Sequence, residues 1–523
     1  MSTRLRPGKV PWELVAPHLP ESFPDEVLLG PACGEDAALV RVSGEVWAVA
    51  SDPVTYTAAD AGRLAVIVNA NDVAVRGAKP TFFTAVLLLT PEEAAADRTG
   101  ELLGQIADSC AALGVSLIGG HTEITPGLDH SLVVGTMLGR VQGRPITSGG
   151  LRPGDAVGLT RWAGLEGTAI ILSELGDRLR VRHGPEELGQ AEETLAGEWL
   201  SVVPEALAAA GVKGVNALHD VTEGGVGEAL YELAAASGVF IEAEAETVPL
   251  LPATRLICDE LGIDPLGLIG SGAVLVGCDE RVRRELAKRL WALEVPITWI
   301  GTAVEAEGAP GTSLSRFPRD ELLKLSALEG IRAVLFDMDG TLVHTSYDWP
   351  AIRRQLGVDH VSIIDALNGL PRPERETRWK EMEAIEAEAT RGARAAEGAT
   401  GLLALLREHG VRTALVTNNT AKNAAELLDR FGLRLDVVIT RDTGMYKPSG
   451  APLAAAARRL GVRPEECLVV GDSHFDLEAA HDAGCARTCI LHERAEALGR
   501  EADLAFGSIP GLVRYLGYVL EKG

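Results

Sequence analysis

From Ile331 to the C-terminus, short apolar runs alternate with amphipathic stretches, and that alternation leaves few folds open. The runs at 331–336, Thr413–Val416, Val437–Ile439 and Cys467–Val470 have strand length, and helical patterns separate them. Strands separated by helices need crossover connections, so the pattern predicts a parallel sheet of βαβ units. In such open sheets, ligands bind beyond the carboxyl ends of the strands. The first strand runs directly into Asp337-Met338-Asp339-Gly340-Thr341. Two carboxylates two residues apart at that place can face one site. One can attack phosphorus and the other can handle the leaving-group proton. An acidic loop cap would also account for this pair, and D-x-D alone does not separate the two readings.

Three later segments do separate them. Leu415–Asn419 is another strand ending in polar residues, where the Thr417 hydroxyl and a nearby amide can bind a phosphoryl oxygen. Tyr446-Lys447-Pro448 supplies an ammonium after a strand and loop. Leu468–Asp476 is a strand followed by Asp472 and Asp476, whose hard oxygens suit Mg²⁺. In this order, the four segments resemble those of the haloacid dehalogenase-like hydrolases, in their phosphoglycolate-phosphatase-like branch. The resemblance covers the block from 331 to the end and implies a Rossmann-like phosphatase domain. By that resemblance, Asp337 is the nucleophile, Asp339 the general acid/base, and Thr417 and Lys447 the phosphate binders. Mg²⁺ would be held by Asp337, the Asp339 backbone carbonyl and Asp472, with Asp476 in support. The helix-rich stretch at about 343–400 then resembles a small cap, although a helical hairpin on the core fits the same pattern. A small phosphorylated metabolite is the implied substrate, with phosphoglycolate as the default.

The first 325 residues carry no P-loop and no G-x-G-x-x-G after a strand. They carry acids scattered beside glycines and strand ends: Asp36 before a strand, Asp52 after one, and Asn71 and Asp72 in a helical pattern. Glu123 lies in Gly119-Gly120-His121-Thr122-Glu123 after the strand-like Val115–Ile118, and Asp220 comes before Gly224-Gly225 at a helix start. Acids from distant segments suit polyphosphate held through Mg²⁺, and helix-start amides suit an anion. Each acid alone is as well explained as a cap or a solvated turn. The runs GPACGEDAALV, SDPVTY, NANDVAVRGAKP, GGHTEITPGLD and HDVTEGGVGEAL together resemble one superfamily. It contains aminoimidazole ribonucleotide synthetase, thiamine-phosphate kinase, selenophosphate synthetase and the hydrogenase-maturation dehydratase. The implied module binds ATP and Mg²⁺, has an N-terminal α/β lobe (1–150) that dimerises and a C-terminal α+β lobe (151–325), and transfers a phosphoryl group. By that resemblance, Asp36, Asp52 and Asp72 are metal ligands. Asn71, His121, Thr122, Glu123, Asp220, Gly224 and Gly225 join those acids around ATP. The chain departs from the hydrogenase-maturation enzyme in lacking its terminal Cys, and Cys33 reads as a small buried residue. His121 could bind phosphate, act as a base or cap a turn.

The expectation is therefore an α/β and α+β chain: a two-lobed synthetase-like ATP module fused to a phosphatase at 331–523. The alternative keeps the phosphatase and makes the first half a non-catalytic nucleotide-binding or dimerising module. A net charge of −25 and 4% aromatic residues argue against a nucleic-acid or anionic-membrane binder. No run of 18 apolar residues occurs, so no transmembrane helix is expected. Seven cysteines without a C-x-x-C point to free thiols in a reducing cytoplasm.

Overall fold

The structure is a computed structural model that describes residues 8–55, 60–95, 97–184, 186–189, 195, 199–358, 362–492 and 502–520. It divides into two units, the first essentially residues 1–322 and the second essentially 323–523.

The first unit contains two sheets. One consists of β1 (Val27–Leu29), β2 (Ala38–Val42), β3 (Glu45–Ala50), β4 (Pro53–Val54), β5 (Ala78–Leu89), β6 (Ser116–Ile124) and β7 (Leu132–Val141), in the order β1-β2-β3-β7-β5-β6 with β4 beside β7. The helix Ala61–Ala74 is almost wholly buried, which explains why its sequence is apolar on all sides. Two helices follow β5, Pro91–Ala95 and Arg98–Leu113, with Asp97 at φ 61 preceding the second. The segment 119–123, expected as a turn after a strand, continues strand β6. All nine residues of β6 are exposed, because it forms the sheet edge. The second sheet consists of β8 (Asp155–Thr160), β9 (Val215–Asp220), β10 (Val239–Ala243), β11 (Val274–Asp279), β12 (Ile297–Glu305) and β13 (Gly311–Thr312), mostly antiparallel. The last strand, Gly311–Thr312, is two residues long and runs parallel to β10. Tyr56 and the terminal 521–523 lie outside the described residues.

The second unit is built on β14 (Ala333–Phe336), β15 (Val343–His344), β16 (Arg394–Ala395), β17 (Arg412–Thr417), β18 (Val437–Thr440), β19 (Cys467–Gly471), β20 (Arg487–Leu491) and β21 (Leu504–Phe506). Six of these form one sheet in the order β18-β17-β14-β19-β20-β21, every neighbour parallel. Numbered by appearance, that is 3-2-1-4-5-6, the doubly wound order, and it reverses between β14 and β19. A crevice opens beyond the strand ends at such a reversal, so Asp337 and Asp472 are brought to its two sides by topology alone. Strands β15 and β16 pair as a two-stranded neck, and between them lie the helices Trp349–Leu356, Ile363–Gly369 and Arg372–Gly392. These helices close on their own small core of Ile352, Leu356, Ile363, Leu367 and Met382. The expected cap is thus a separately packed helical element. No described helix is long and apolar enough to cross a membrane.

Candidate functional site

In the second unit, the crevice gathers the acids. Asp337 follows β14, and its amide donates to Val470 O in β19 at 2.9 Å, which ties the two strand ends together. Lys447 Nζ donates to Asp337 Oδ1 and Asp476 Oδ1, each at 2.6 Å, from an almost wholly buried position. Asp337, Asp472 and Asp476 present ligand atoms within 4.8 Å of one another. Burial, and then the neighbouring acids against the pull of Lys447, holds Asp337 well above the usual carboxylate range. Burial and Asp476 push Asp472 up to about 7. The Lys447 ammonium is held charged by Asp337 and Asp476 although burial opposes it. One ammonium among three clustered carboxylates leaves negative charge uncompensated, and a divalent cation fits that donor set.

Asp339 stands beside this cluster with both oxygens engaged: Thr345 Oγ1 donates at 3.0 Å and Asn419 Nδ2 at 3.2 Å. Burial raises its pKa. Thr417, buried at the end of β17, accepts from the Asn419 amide at 3.1 Å. Asn418 clamps the backbone of Lys447, donating to its carbonyl at 2.9 Å and accepting from its amide at 2.8 Å. Gly340 has φ +86, and a Cβ there would overlap Asp472 Oδ2. Gly340→Ala is expected to lower the melting temperature of the full chain. The left-handed backbone alone costs about 1–2 kcal/mol, before Asp472 is displaced. An unchanged thermal midpoint would contradict this packing.

Motif reading did not find the residues that join cap to core. Arg441, one residue past β18, forms a bidentate ion pair with Glu386 of the helix Arg372–Gly392, its Nη2 at 2.7 Å from Oε2. Tyr446 donates to Asp365 at 2.6 Å. Tyr347 accepts from Asn419 Nδ2 at 3.4 Å and stacks on Trp349. In the sequence Glu386 is one acid among many in a charged helix, and its partner lies 55 residues away.

In the first unit, Asp72 and Asp220 are buried, and Asp72 Oδ2 and both Asp220 oxygens have no hydrogen-bond partner among the described residues. Burial, then Asp52 and Asp220, holds Asp72 well above the usual carboxylate range. Burial and Asp36 push Asp220 up to about 7. The Asp52 amide donates to Asn69 Oδ1 at 3.0 Å, which fixes the strand end that carries Asp52. Oδ2 of Asp36 takes Arg76 Nη2 at 2.6 Å and His219 Nδ1 at 2.9 Å. The other His219 nitrogen faces Glu232 Oε2 at 3.3 Å. With a carboxylate on each ring nitrogen, both nitrogens donate, so the ring is an imidazolium. Burial is outweighed by Asp36 and Glu232, and the His219 pKa rises to about 10.

Several of the expected residues are held by other partners. Asn71 donates to Leu200 O and accepts from the Val202 amide, both at 2.9 Å, so its amide holds a neighbouring segment. The backbone amides of Gly224 and Gly225, expected to face an anion, have partners within the chain. The Gly224 amide donates to Asp320 Oδ2 at 2.7 Å and that of Gly225 to Thr222 O at 3.1 Å. Both have positive φ, and a Cβ would strike Phe317 O or run into Leu266 O, so close packing requires the glycines. His121, Thr122 and Glu123 lie on the exposed edge strand β6, where His121 Nε2 and Glu123 Oε2 pair at 3.1 Å. Cys33 is half-buried rather than buried.

Comparison with known proteins supplies families for both units. Residues 34–141 match the AIR synthase related protein N-terminal domain, and 152–310 match its C-terminal domain. Residues 331–484 match the haloacid dehalogenase-like hydrolases. Carbamoyl dehydratase HypE of Azotobacter vinelandii is 31% identical over 267 residues, 49% of this chain and 73% of that protein. An uncharacterized hydrolase of Saccharomyces cerevisiae is 31% identical over 175 residues, 31% of this chain and 80% of that protein. Phosphoglycolate phosphatase of Chromobacterium violaceum is 31% identical over 219 residues, 35% of this chain and 96% of that protein.

Proposed function

As a chain that belongs to the AIR synthase-related proteins in its first unit and to the haloacid dehalogenase-like hydrolases in its second, this protein is, we propose, a bifunctional enzyme. It joins a Mg²⁺-dependent phosphomonoesterase to a module that binds Mg²⁺·ATP and transfers a phosphoryl group. The observation that carries the phosphatase reading is the convergence of Asp337, Asp472 and Asp476 around one buried Lys447, with Asp339 alongside. An Asp337 oxygen attacks phosphorus and forms an aspartyl-phosphate, while Asp339, whose affinity for a proton is raised by burial, serves as the acid that gives a proton to the leaving alcohol. Asp339 then takes a proton from the water that cleaves the acyl-phosphate. Lys447 and Thr417 hold the phosphoryl oxygens. Asp337, Asp472 and the Asp339 carbonyl would hold Mg²⁺, with Asp476 in support. When bound, the ion offsets the repulsion between carboxylate and phosphate. Phosphate release by the full chain from a panel of phosphomonoesters, with Mg²⁺ and with EDTA, tests this. Absence of Mg²⁺-dependent release across the panel would overturn it.

The ATP reading of the first unit rests on the orphaned oxygens of Asp72 and Asp220 beside Asp52. The chain is proposed to be a homodimer in the cytoplasm, where its seven cysteines stay as free thiols. β6 supports the dimer: an edge strand nine residues long exposes 41% of Leu117, 58% of Ile118 and 61% of Ile124. An open apolar edge of that length invites pairing with a second chain. The double substitution Ile118→Lys, Ile124→Lys is expected to convert dimer to monomer in light scattering. A parent that is monomeric at micromolar concentration would refute the dimer.

A further inference from the structure

The alcohol that leaves in the proposed reaction must sit on the Asp339 side of the phosphate, because Asp339 protonates it. The groups around that side form a connected set. Asn419 Nδ2 reaches both Asp339 Oδ2 at 3.2 Å and Tyr347 Oη at 3.4 Å. The Arg441 backbone amide donates to Asn419 O at 3.3 Å, and its Nη1 donates to Asn418 O at 3.0 Å. The Arg441 guanidinium lies 4.8 Å from the ring centre of Trp379, a residue of the cap helix Arg372–Gly392. A guanidinium joined through Asn418 and Asn419 to the Asp339 side is a receptor for a second anionic group on the substrate, such as a carboxylate.

Glu386 already fills that receptor. Its two oxygens meet the two Arg441 nitrogens in the paired geometry a substrate carboxylate would adopt. Both side chains are nearly inaccessible, at 8% and 4% exposure, so solvent does little to weaken the pair. Glu386 and Asp339 also act together on the Tyr347 hydroxyl: burial first, then these two carboxylates, raises its pKa, with Arg441 opposing.

We infer that the Glu386–Arg441 ion pair is a specificity device that turns the hydrolase away from carboxylate-bearing phosphomonoesters and toward those whose alcohol is uncharged. The inference rests on the phosphatase reading and departs from phosphoglycolate as the default substrate. Discrimination is by exclusion: an incoming carboxylate must displace Glu386 and leave it buried and unpaired, while a hydroxyl meets only neutral partners and Asp339.

Glycerol 3-phosphate and 3-phosphoglycerate differ at one carbon, a hydroxymethyl in one and a carboxylate in the other, and they form the direct test. The full-length parent is expected to favour glycerol 3-phosphate in kcat/KM by about tenfold or more. Glu386→Gln keeps the volume and removes the charge, and it is expected to shift the ratio toward 3-phosphoglycerate by about tenfold. p-Nitrophenyl phosphate serves as the common reference. A parent that hydrolyses p-nitrophenyl phosphate but treats the pair equally, or prefers the carboxylate, overturns the inference and leaves the phosphatase standing. An unchanged ratio in a Glu386→Gln protein that still hydrolyses the reference also overturns it. A parent inert toward all three esters overturns the phosphatase reading and this inference with it. The parent ratio alone decides the matter where the variant does not fold.

Discussion

Asp337→Asn is expected to reduce phosphate release from every phosphomonoester by about 10⁴-fold or more, the scale seen when an enzyme loses its nucleophile. The substitution keeps the side-chain volume, so the crevice between β14 and β19 is not emptied. What disappears is the anionic oxygen that attacks phosphorus. Lys447 Nζ, at 2.6 Å from both Asp337 and Asp476, retains Asp476 and stays in place, so the loss is chemical and not a collapse of the site. Asp339→Asn is expected to behave differently. Its neighbours Thr345 and Asn419 still hold the side chain, and the aspartyl-phosphate on Asp337 forms from substrates with good leaving groups. Its hydrolysis is slow, because no base takes a proton from the attacking water. Rapid-quench measurement of phosphate release against acid-stable protein phosphate separates the two steps. Beryllofluoride, a mimic of the acyl-phosphate, is expected to inhibit the parent. An Asp337→Asn protein with near-parent rates on its best substrate would refute the covalent mechanism.

Asp220→Asn in the first unit is expected to act in opposite directions with and without ligand. Both Asp220 oxygens are buried without a hydrogen-bond partner among the described residues, and the folded pKa is raised from 3.8 to about 7. A carboxyl raised on folding holds a proton that the unfolded chain has already lost. Stability therefore falls as pH climbs from about 4 through 7, wherever the folded state binds more protons. In EDTA, Asp220→Asn is expected to remove that decline. It should match the parent near pH 4 and exceed it above pH 7, because a neutral amide bears no cost of ionisation in the buried site. With Mg²⁺ and ATP the order is expected to reverse. The parent gains stability by binding, and the variant, lacking a hard oxygen ligand, gains little. Thermal unfolding at pH 5 and pH 8, with EDTA and with Mg²⁺·ATP, reads all four corners. Equal stabilisation of parent and variant by Mg²⁺·ATP would refute the role of Asp220 in nucleotide binding.

The crevice of the hydrolase unit was legible in the sequence for a local reason. A strand read from a short apolar run ends where its run ends, and parallel strands joined by helices all point their carboxyl ends the same way. Asp337, Thr417 and Asp472 each follow such a run directly, so their meeting requires only the fold class and a strand order that reverses at β14. Lys447 and Asp476 follow from the same crevice, one loop or one helical turn further on. The buried acids at 72 and 220 were legible as residue types beside a strand end or inside a helix.

What the sequence alone could not decide was which long-range partner would reach each polar group first. The Gly224 amide looked open to an anion, but Asp320, 96 residues on, occupies it. Asn71 stood beside Asp72 in one motif, yet on a helix adjacent residues point about 100° apart, and Asn71 turns to the chain at 200–202. His121 and Glu123 looked like a strand-end site until the strand proved to continue through them to an exposed sheet edge. Glu386 and Arg441 belong to no motif, because their pairing depends on how the cap helix settles over the strand ends. Local periodicity determined the strands, their direction and the acids at their ends. Only tertiary packing decided which of those polar groups stay unpaired, and an unpaired buried group is the one left to meet a ligand.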